Sequence, residues 1–214
     1  MVTVEQKGSA FYINGILEKE IKIPSQMFPL TGEVYCINPE ETEDFPENAT
    51  TDKIREIYNS INPGVGLCYH NIDTLITELK KEGIEATPMV GWCFVGEELP
   101  VHHCFAIIDN HILDFNPNME FFFKEEFAGL GLEKTREMIT DLMIELRSKP
   151  NSETTTFGKL NRFTHYFASP CKPLNGIKVY QKLIKTYPKH PCHKNVNSNG
   201  MNKTQEMFYD RIKK

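Results

Sequence analysis

The feature that most constrains the fold is an amphipathic helix that begins beside a cysteine. Its apolar residues follow the i, i+3, i+4, i+7 spacing of one helix face and are Ile72, Leu75, Ile76 and Leu79. Gly83 follows this stripe and supplies a C-terminal stop. Upstream, one proline and two glycines between Asn62 and Leu67 tighten a loop that ends at Cys68. The sequence therefore predicts a loop-to-helix junction at Cys68, with this residue on the inward face of the helix.

Cys68 has two interpretations at this junction. The first turn of a helix has unpaired backbone N–H groups and the positive end of the macrodipole, and both favour a thiolate over a thiol. On that ground Cys68 is a candidate nucleophile. A free cysteine is also among the most buried residue types and packs as a small hydrophobic side chain. The junction alone leaves both interpretations open.

Three predicted strands follow the helix. Residues 86–95 are apolar almost throughout, which is typical of a buried strand, and residues 101–108 and 111–115 read as two further strands. Asp109-Asn110 is the predicted two-residue turn between the last two. Trp92 in the first strand is interpreted as an ordinary strand aromatic, and its alternative roles are to shield a histidine or to line a cleft. The helix is therefore followed by three antiparallel strands.

The last two strands supply partners for a reactive thiol. A cysteine nucleophile needs a base, usually histidine, and that histidine needs an acceptor on its other ring nitrogen. With a two-residue turn at 109–110, Asn116 lies opposite His103, and Asp114 is the diagonal neighbour of His103 on the same face. His102 points to the opposite face because strand residues alternate. Each of these residues alone can be explained by a structural role. A thiol that opens a helix, followed by a histidine and an aspartate on one face of the next strands, is less easily explained in that way.

Further elements are predicted on both sides of this segment. Upstream they are a hairpin over 10–23 around an Asn14-Gly15 turn, a strand over 33–37, an acidic loop over 38–51 and a short helix over 54–61. Thr51 or Asp52 is the predicted N-cap of that helix. Downstream they are helical segments over 120–127 and 135–146, a polar loop over 151–156, a helix over 177–187 and a last short helix over 207–212.

The composition is that of a folded globular protein. The 214 residues are 40% hydrophobic and include 14 Phe, which is enough to fill a core. We find no run of 18 apolar residues and no N-terminal basic segment followed by an apolar one, so we expect neither a membrane span nor a signal peptide. Cytoplasmic localisation is the corresponding expectation. The six cysteines are then expected to be reduced thiols, and their spacing matches no common metal motif.

Charge is distributed unevenly along the chain. Residues 171–214 contain ten Lys and Arg against two Asp and Glu, whereas residues 1–170 carry an excess of acidic residues. We therefore predict a domain over 1–170 and a basic helical extension over 171–214 that docks on it. A basic segment can also attract nucleic acid or a membrane surface, but docking on an acidic body accounts for the pattern without such a partner. No nucleic-acid partner is expected.

Three short motifs resemble those of the papain-like cysteine enzyme superfamily, particularly its transglutaminase-like branch. They are Gly66-Leu67-Cys68-Tyr69, His103-Cys104-Phe105 and Leu113-Asp114-Phe115-Asn116-Pro117. That branch has the order Cys, His, Asp, with a small residue and an aromatic after the histidine and a proline shortly after the aspartate. Two details differ, since many relatives have tryptophan after the cysteine and a longer spacing between the histidine and the aspartate. The resemblance covers residues 60–117.

The resemblance implies an α+β fold with a papain-like, transglutaminase-like core. The cysteine-bearing helix would pack on an antiparallel sheet, with additional C-terminal helices. Cys68 would attack an amide or peptide carbonyl to form a thioester, with His103 as general base and Asp114 orienting it. The implied protein is a thiol-dependent hydrolase or acyltransferase that acts on a protein, peptide or small amide without a cofactor or metal. The Cys68 N–H and the Asn62 side chain are the candidate oxyanion donors.

Two other classes of function remain open from the sequence. A zinc site could draw on His102, His103, Cys104 and either His111 or Cys93, because imidazole and thiolate suit zinc. Adjacent strand residues point to opposite faces, however, which works against a site that uses both adjacent histidines. A catalytically inactive papain-like module that binds a partner in the same cleft also fits the motifs.

Overall fold

The structure is a computed structural model that describes residues 3–8, 10–16, 19–24, 34–64, 66–95, 101–118, 150–162, 164–190 and 193. Within these ranges the chain is α+β, with a small three-stranded sheet, a curled antiparallel six-stranded sheet and three α-helices. The small sheet contains β1 Thr3–Lys7, β2 Ala10–Ile16 and β3 Lys19–Pro24. The large sheet contains β4 Tyr35–Ile37, β5 Thr87–Val95, β6 Val101–Ile108, β7 His111–Pro117, β8 Thr155–Gly158 and β9 Thr164–Pro170. The helices are α1 Ala49–Ser60, α2 Cys68–Lys81 and α3 Pro173–Thr186, and a 3-10 turn spans Pro39–Glu41.

The large sheet has the strand order β4-β9-β5-β6-β7-β8, with antiparallel pairing throughout. The three predicted strands β5, β6 and β7 are therefore adjacent, as the sequence indicated. Strands β8 and β9 were not predicted, and β8 begins inside the segment 151–156 that we expected to be a loop. At Gly91 of β5, an added Cβ would overlap the Phe167 carbonyl oxygen of β9, so this close pairing requires glycine.

The helix that begins at Cys68 agrees with the sequence prediction at both ends. Helix α2 starts at Cys68 and ends at Lys81, and Gly83 has a φ of +74° at the C-terminal stop. The predicted cap of α1 was wrong. The cap is Asn48, whose side-chain oxygen accepts a hydrogen bond from the Thr51 backbone N–H at 2.9 Å, so Thr51 belongs to the first turn rather than preceding it.

Helices α1 and α2 pack on one face of the large sheet. The buried core of that face consists of Ile54, Ile57, Tyr58, Ile72, Leu75, Leu79, Val90, Cys104, Ala106 and Leu113. Cys68 and Tyr69 pack at its margin. The opposite face has a second core, made of Ile37, Met89, Cys93, Phe105, Ile112, Leu160, Tyr166 and Ala168. Helix α3 contacts α2, β5 and β6. The start of α2 therefore lies against the strands that bear the predicted histidine and aspartate.

The small N-terminal sheet corrects one prediction. Asn14-Gly15 is not the turn of the hairpin, because both residues lie within β2. The pairing of β2 with β3 shifts register between Ile13 and Ile16 and closes with Ile16 opposite Lys19, so the dipeptide occupies a bulge. Strand β1, which pairs with β2, was not predicted.

Several predictions fall outside the described residues. These are the helical segments over 120–127, 135–146 and 207–212. The proposed boundary after residue 170 falls between β9 and α3 and stays a prediction. None of the described helices has both the length and the apolarity needed to cross a lipid bilayer.

Candidate active site

Cys68 is the first residue of α2 and follows a tight loop. The N-cap residue Leu67 has no side-chain acceptor, so no side chain caps the amides of the first helical turn. Gly66 has a φ of +74°, in the left-handed region that glycine adopts most readily. Leu67 is buried, Gly66 is exposed and Cys68 is half-buried.

Asn71 fixes the loop in front of the thiol. Its side-chain oxygen accepts a hydrogen bond from the Gly64 N–H at 3.0 Å, and its side-chain nitrogen donates to the Gly64 carbonyl at 2.9 Å. Asn71 is buried, and its own N–H donates to the Leu67 carbonyl at 2.9 Å as α2 begins. The side chain therefore couples the first turn of α2 to the loop that precedes Cys68. Sequence analysis missed this residue.

The β6–β7 hairpin brings His103 and Asp114 together as the sequence indicated. Ile108 pairs with His111 across the turn at 109–110, and Asp109 has a φ of +52°. This register places the two side chains on one face. The Nε2–H of His103 donates to Oδ2 of Asp114 at 2.8 Å, and both residues are buried.

His103 also contacts the Cys68 thiol. Burial of the ring lowers the pKa of His103, but the charge and hydrogen bond of Asp114 and the hydrogen bond with Cys68 outweigh it and raise the pKa to about 10. Because Nε2 faces Asp114, Nδ1 is the ring nitrogen left for the thiol. The structure thus brings Cys68, His103 and Asp114 into one connected group, with an imidazolium between the Cys68 sulfur and a carboxylate at neutral pH.

Asp114 is buried and is held by three donors. Oδ2 accepts from His103 and also from the Tyr166 hydroxyl at 2.5 Å. Oδ1 accepts from the Asn116 backbone N–H at 3.0 Å. These donors fix the orientation of the carboxylate. Tyr166 comes from the unpredicted strand β9, so sequence analysis missed it, although its Tyr166-Phe167 pair is typical of a strand.

The Asn116 side chain lies near the same imidazole nitrogen. Its amide nitrogen lies 3.2 Å from Nε2 of His103, compared with 2.8 Å for the Asp114 carboxylate oxygen. Nε2 carries a single hydrogen, and only the carboxylate oxygen can accept it, because an amide nitrogen is a donor. Asp114 is therefore the principal partner of the imidazole, and Asn116 lies beside it.

His102 faces the other side of the sheet, as strand alternation predicted. Its ring stacks on Tyr180 of α3 with centroids 4.0 Å apart, and its Nδ1 forms a hydrogen bond with the Tyr69 hydroxyl. Burial lowers the pKa of His102 well below its ordinary value, and the charges of His193 and His103 add to this. His102 is therefore a neutral core residue at physiological pH.

Trp92 and Asn62 do not join the group around Cys68. Trp92 is fully buried and packs edge-on against His102 with ring centroids 4.9 Å apart, which agrees with its interpretation as a strand aromatic. Asn62 is exposed and makes no hydrogen bond to another described residue. The geometry therefore gives Asn62 no support as an oxyanion donor.

The described residues contain no group of three or more His, Cys, Asp or Glu side chains that could hold a metal ion. His102 and His103 have different partners on opposite faces, as noted above. The zinc alternative therefore has no support from the described geometry.

Comparisons of the chain with protein-family models, with curated proteins and with solved structures gave no match.

Proposed function

We propose that the chain is a thiol-dependent hydrolase or acyltransferase that acts on an amide or peptide bond. One observation carries the proposal, namely that the imidazole of His103 is hydrogen-bonded to the Asp114 carboxylate at 2.8 Å and lies close enough to the Cys68 thiol for that thiol to raise its pKa. A nucleophile, a base and an orienting group in contact are the arrangement that covalent catalysis needs. The order Cys, His, Asp and the packing of α2 on an antiparallel sheet support a papain-like core of the transglutaminase-like kind.

The proposed first step forms a thioester. The Cys68 sulfur, its proton held by His103, attacks the substrate carbonyl carbon to give a tetrahedral intermediate. The imidazolium then gives its proton to the leaving amine as the carbon–nitrogen bond breaks. Asp114 keeps its hydrogen bond to the ring and stabilises the imidazolium.

The second step releases the acyl group. Water or an amine attacks the thioester while His103, now neutral, accepts a proton from it, and the thiolate leaves. With water the reaction is hydrolysis or deamidation, and with an amine it is acyl transfer. The Cys68 backbone N–H at the uncapped start of α2 is the proposed donor to the oxyanion in both steps.

The test uses p-nitrophenyl acetate as an acyl donor that reacts with many activated thiols. We expect a rapid burst of nitrophenol release and an acetyl group on Cys68, detected by mass spectrometry, that is absent from Cys68→Ser. Adding hydroxylamine and then a simple primary amine during turnover distinguishes amine acceptors from water. A native protein that shows no burst, or that is acetylated only on lysines, would contradict the proposal.

A further inference from the structure

We infer that Tyr166 is a positioning residue of this site, whose hydroxyl holds the Asp114 carboxylate directed at His103. This inference rests on the proposed function, because it assigns Tyr166 a part in the same reaction. Tyr166 itself touches neither the thiol nor, in the proposed reaction, the substrate.

The hydrogen bond is short and shares its acceptor with the catalytic contact. The Tyr166 hydroxyl lies 2.5 Å from Oδ2 of Asp114, the same oxygen that accepts from His103 at 2.8 Å. Tyr166 is 1% exposed, and burial together with the charge of Asp114 raises the pKa of its hydroxyl well above the ordinary value. The hydroxyl therefore stays protonated and acts as a donor at every pH at which the enzyme would work.

Tyr166 reaches Asp114 from a strand outside the β6–β7 hairpin. Tyr166 belongs to β9, and two strands, β5 and β6, separate β9 from β7 in the sheet. Its ring stacks on Phe105 with centroids 4.0 Å apart and lies 6.2 Å from the ring of His103. The core therefore fixes the hydroxyl, and the hydroxyl fixes one oxygen of a carboxylate that is otherwise held only from its own hairpin.

Loss of this donor has a consequence for the position of the carboxylate. Without the Tyr166 hydroxyl, Oδ2 of Asp114 keeps its contact with His103 but loses the contact that fixes it from β9. The carboxylate would then be less firmly directed at His103, and the reactivity of Cys68 beside that imidazole would fall.

Tyr58 provides a matched control. It is also a fully buried tyrosine bonded to Asp114, but its hydroxyl donates to the Asp114 backbone carbonyl at 2.7 Å and lies 2.7 Å from Oγ1 of Thr155. Tyr58→Phe and Tyr166→Phe thus remove equivalent buried hydroxyls, and only one of them touches the carboxylate. A purely structural role predicts similar losses of stability and unchanged pH profiles for both.

The experiment measures the rate of Cys68 alkylation by iodoacetamide from pH 5 to 9 in the native protein and in the two variants. We expect Tyr166→Phe to slow alkylation by about threefold or more over the lower part of this range, and Tyr58→Phe to leave the pH profile in place. A Tyr166→Phe profile that superimposes on the native one, or equal shifts in both variants, would overturn the inference. If the proposed function itself is wrong, iodoacetamide should label Cys68 slowly or unselectively in the native protein. That result does not depend on either tyrosine variant.

A second measurement needs no tyrosine variant. With ¹³Cζ-labelled tyrosine, Asp114→Asn should shift the Tyr166 signal at neutral pH, because the charged acceptor of its hydroxyl is lost. A Tyr166 signal that does not respond to this change would equally overturn the inference.

Discussion

His103 and Asp114 meet at 2.8 Å because a two-residue turn places them on the same face of one hairpin. The contact is buried, so solvent screens it little. It raises the pKa of His103 to about 10, so the imidazole stays charged at neutral pH. The charge lies beside Cys68, and the reactivity of the thiol should depend on it.

The first prediction separates the two adjacent histidines. His103→Gln keeps a side chain that can donate to Asp114 but removes the positive charge beside Cys68, so alkylation at pH 7 should slow by about tenfold or more, toward the rate of an ordinary cysteine. The measurement is the iodoacetamide rate at pH 7. His102→Gln is the matched control, because His102 is equally buried but faces Tyr180, and it should change stability rather than rate. Equal effects in the two variants would mean that the base is misassigned.

The second prediction concerns the residue that orients the imidazole. Asp114→Asn keeps the shape but removes the charge that raises the pKa of His103, so this pKa should fall and Cys68 alkylation at pH 7 should slow. Asn116→Ala removes the weaker neighbour at 3.2 Å and should change the rate by less than about threefold. Melting temperatures check that both variants fold. If Asn116→Ala slows the reaction and Asp114→Asn does not, the orienting residue is Asn116.

The third prediction is a dependence of stability on pH. The pKa of His103 is raised from an ordinary value of 6.5 to about 10 in the folded protein. The contribution of this group to the free energy of unfolding is therefore fully present below pH 6.5 and is lost as the pH rises through 10, with a slope of at most about 1.4 kcal/mol per pH unit. Urea unfolding between pH 6.5 and 9.5 should show a steeper decline for the native protein than for Asp114→Asn.

Parallel stability profiles for these two proteins would contradict the assignment of the raised pKa to the His103–Asp114 pair. His102 does not interfere in this window. Its pKa is lowered by burial, so its contribution is lost as the pH falls below the ordinary histidine value rather than above it.

The site was predictable from sequence where it depends on local rules. The stripe from Ile72 to Leu79 and the stop at Gly83 determine α2, and any two-residue turn keeps His103 and Asp114 on one face. These rules involve residues close together in the chain, so periodicity and turn length are sufficient to apply them.

The remainder depends on pairings between distant segments. Tyr166 reaches Asp114 only because β9 inserts between β4 and β5, and nothing in the local pattern of residues 164–170 specifies that neighbour. The prediction of a turn at Asn14-Gly15 was wrong for a related reason, because the pairing of β2 with β3 determines where the hairpin closes. Asn71 was missed because its side chain hydrogen-bonds to the backbone of Gly64, seven residues earlier. Such a contact leaves no periodic pattern in the sequence.

The most direct test of the central claim is the selectivity of the six cysteines toward alkylation. Burial raises the pKa of the thiols of Cys36, Cys93, Cys104 and Cys171, and Cys68 is the thiol that contacts an imidazolium. Cys192 lies outside the described residues. Native protein treated with substoichiometric iodoacetamide at several pH values between 5 and 9 should carry the adduct on Cys68 alone at the lower end of this range. Labelling spread evenly over several cysteines, or labelling that spares Cys68, would contradict the account.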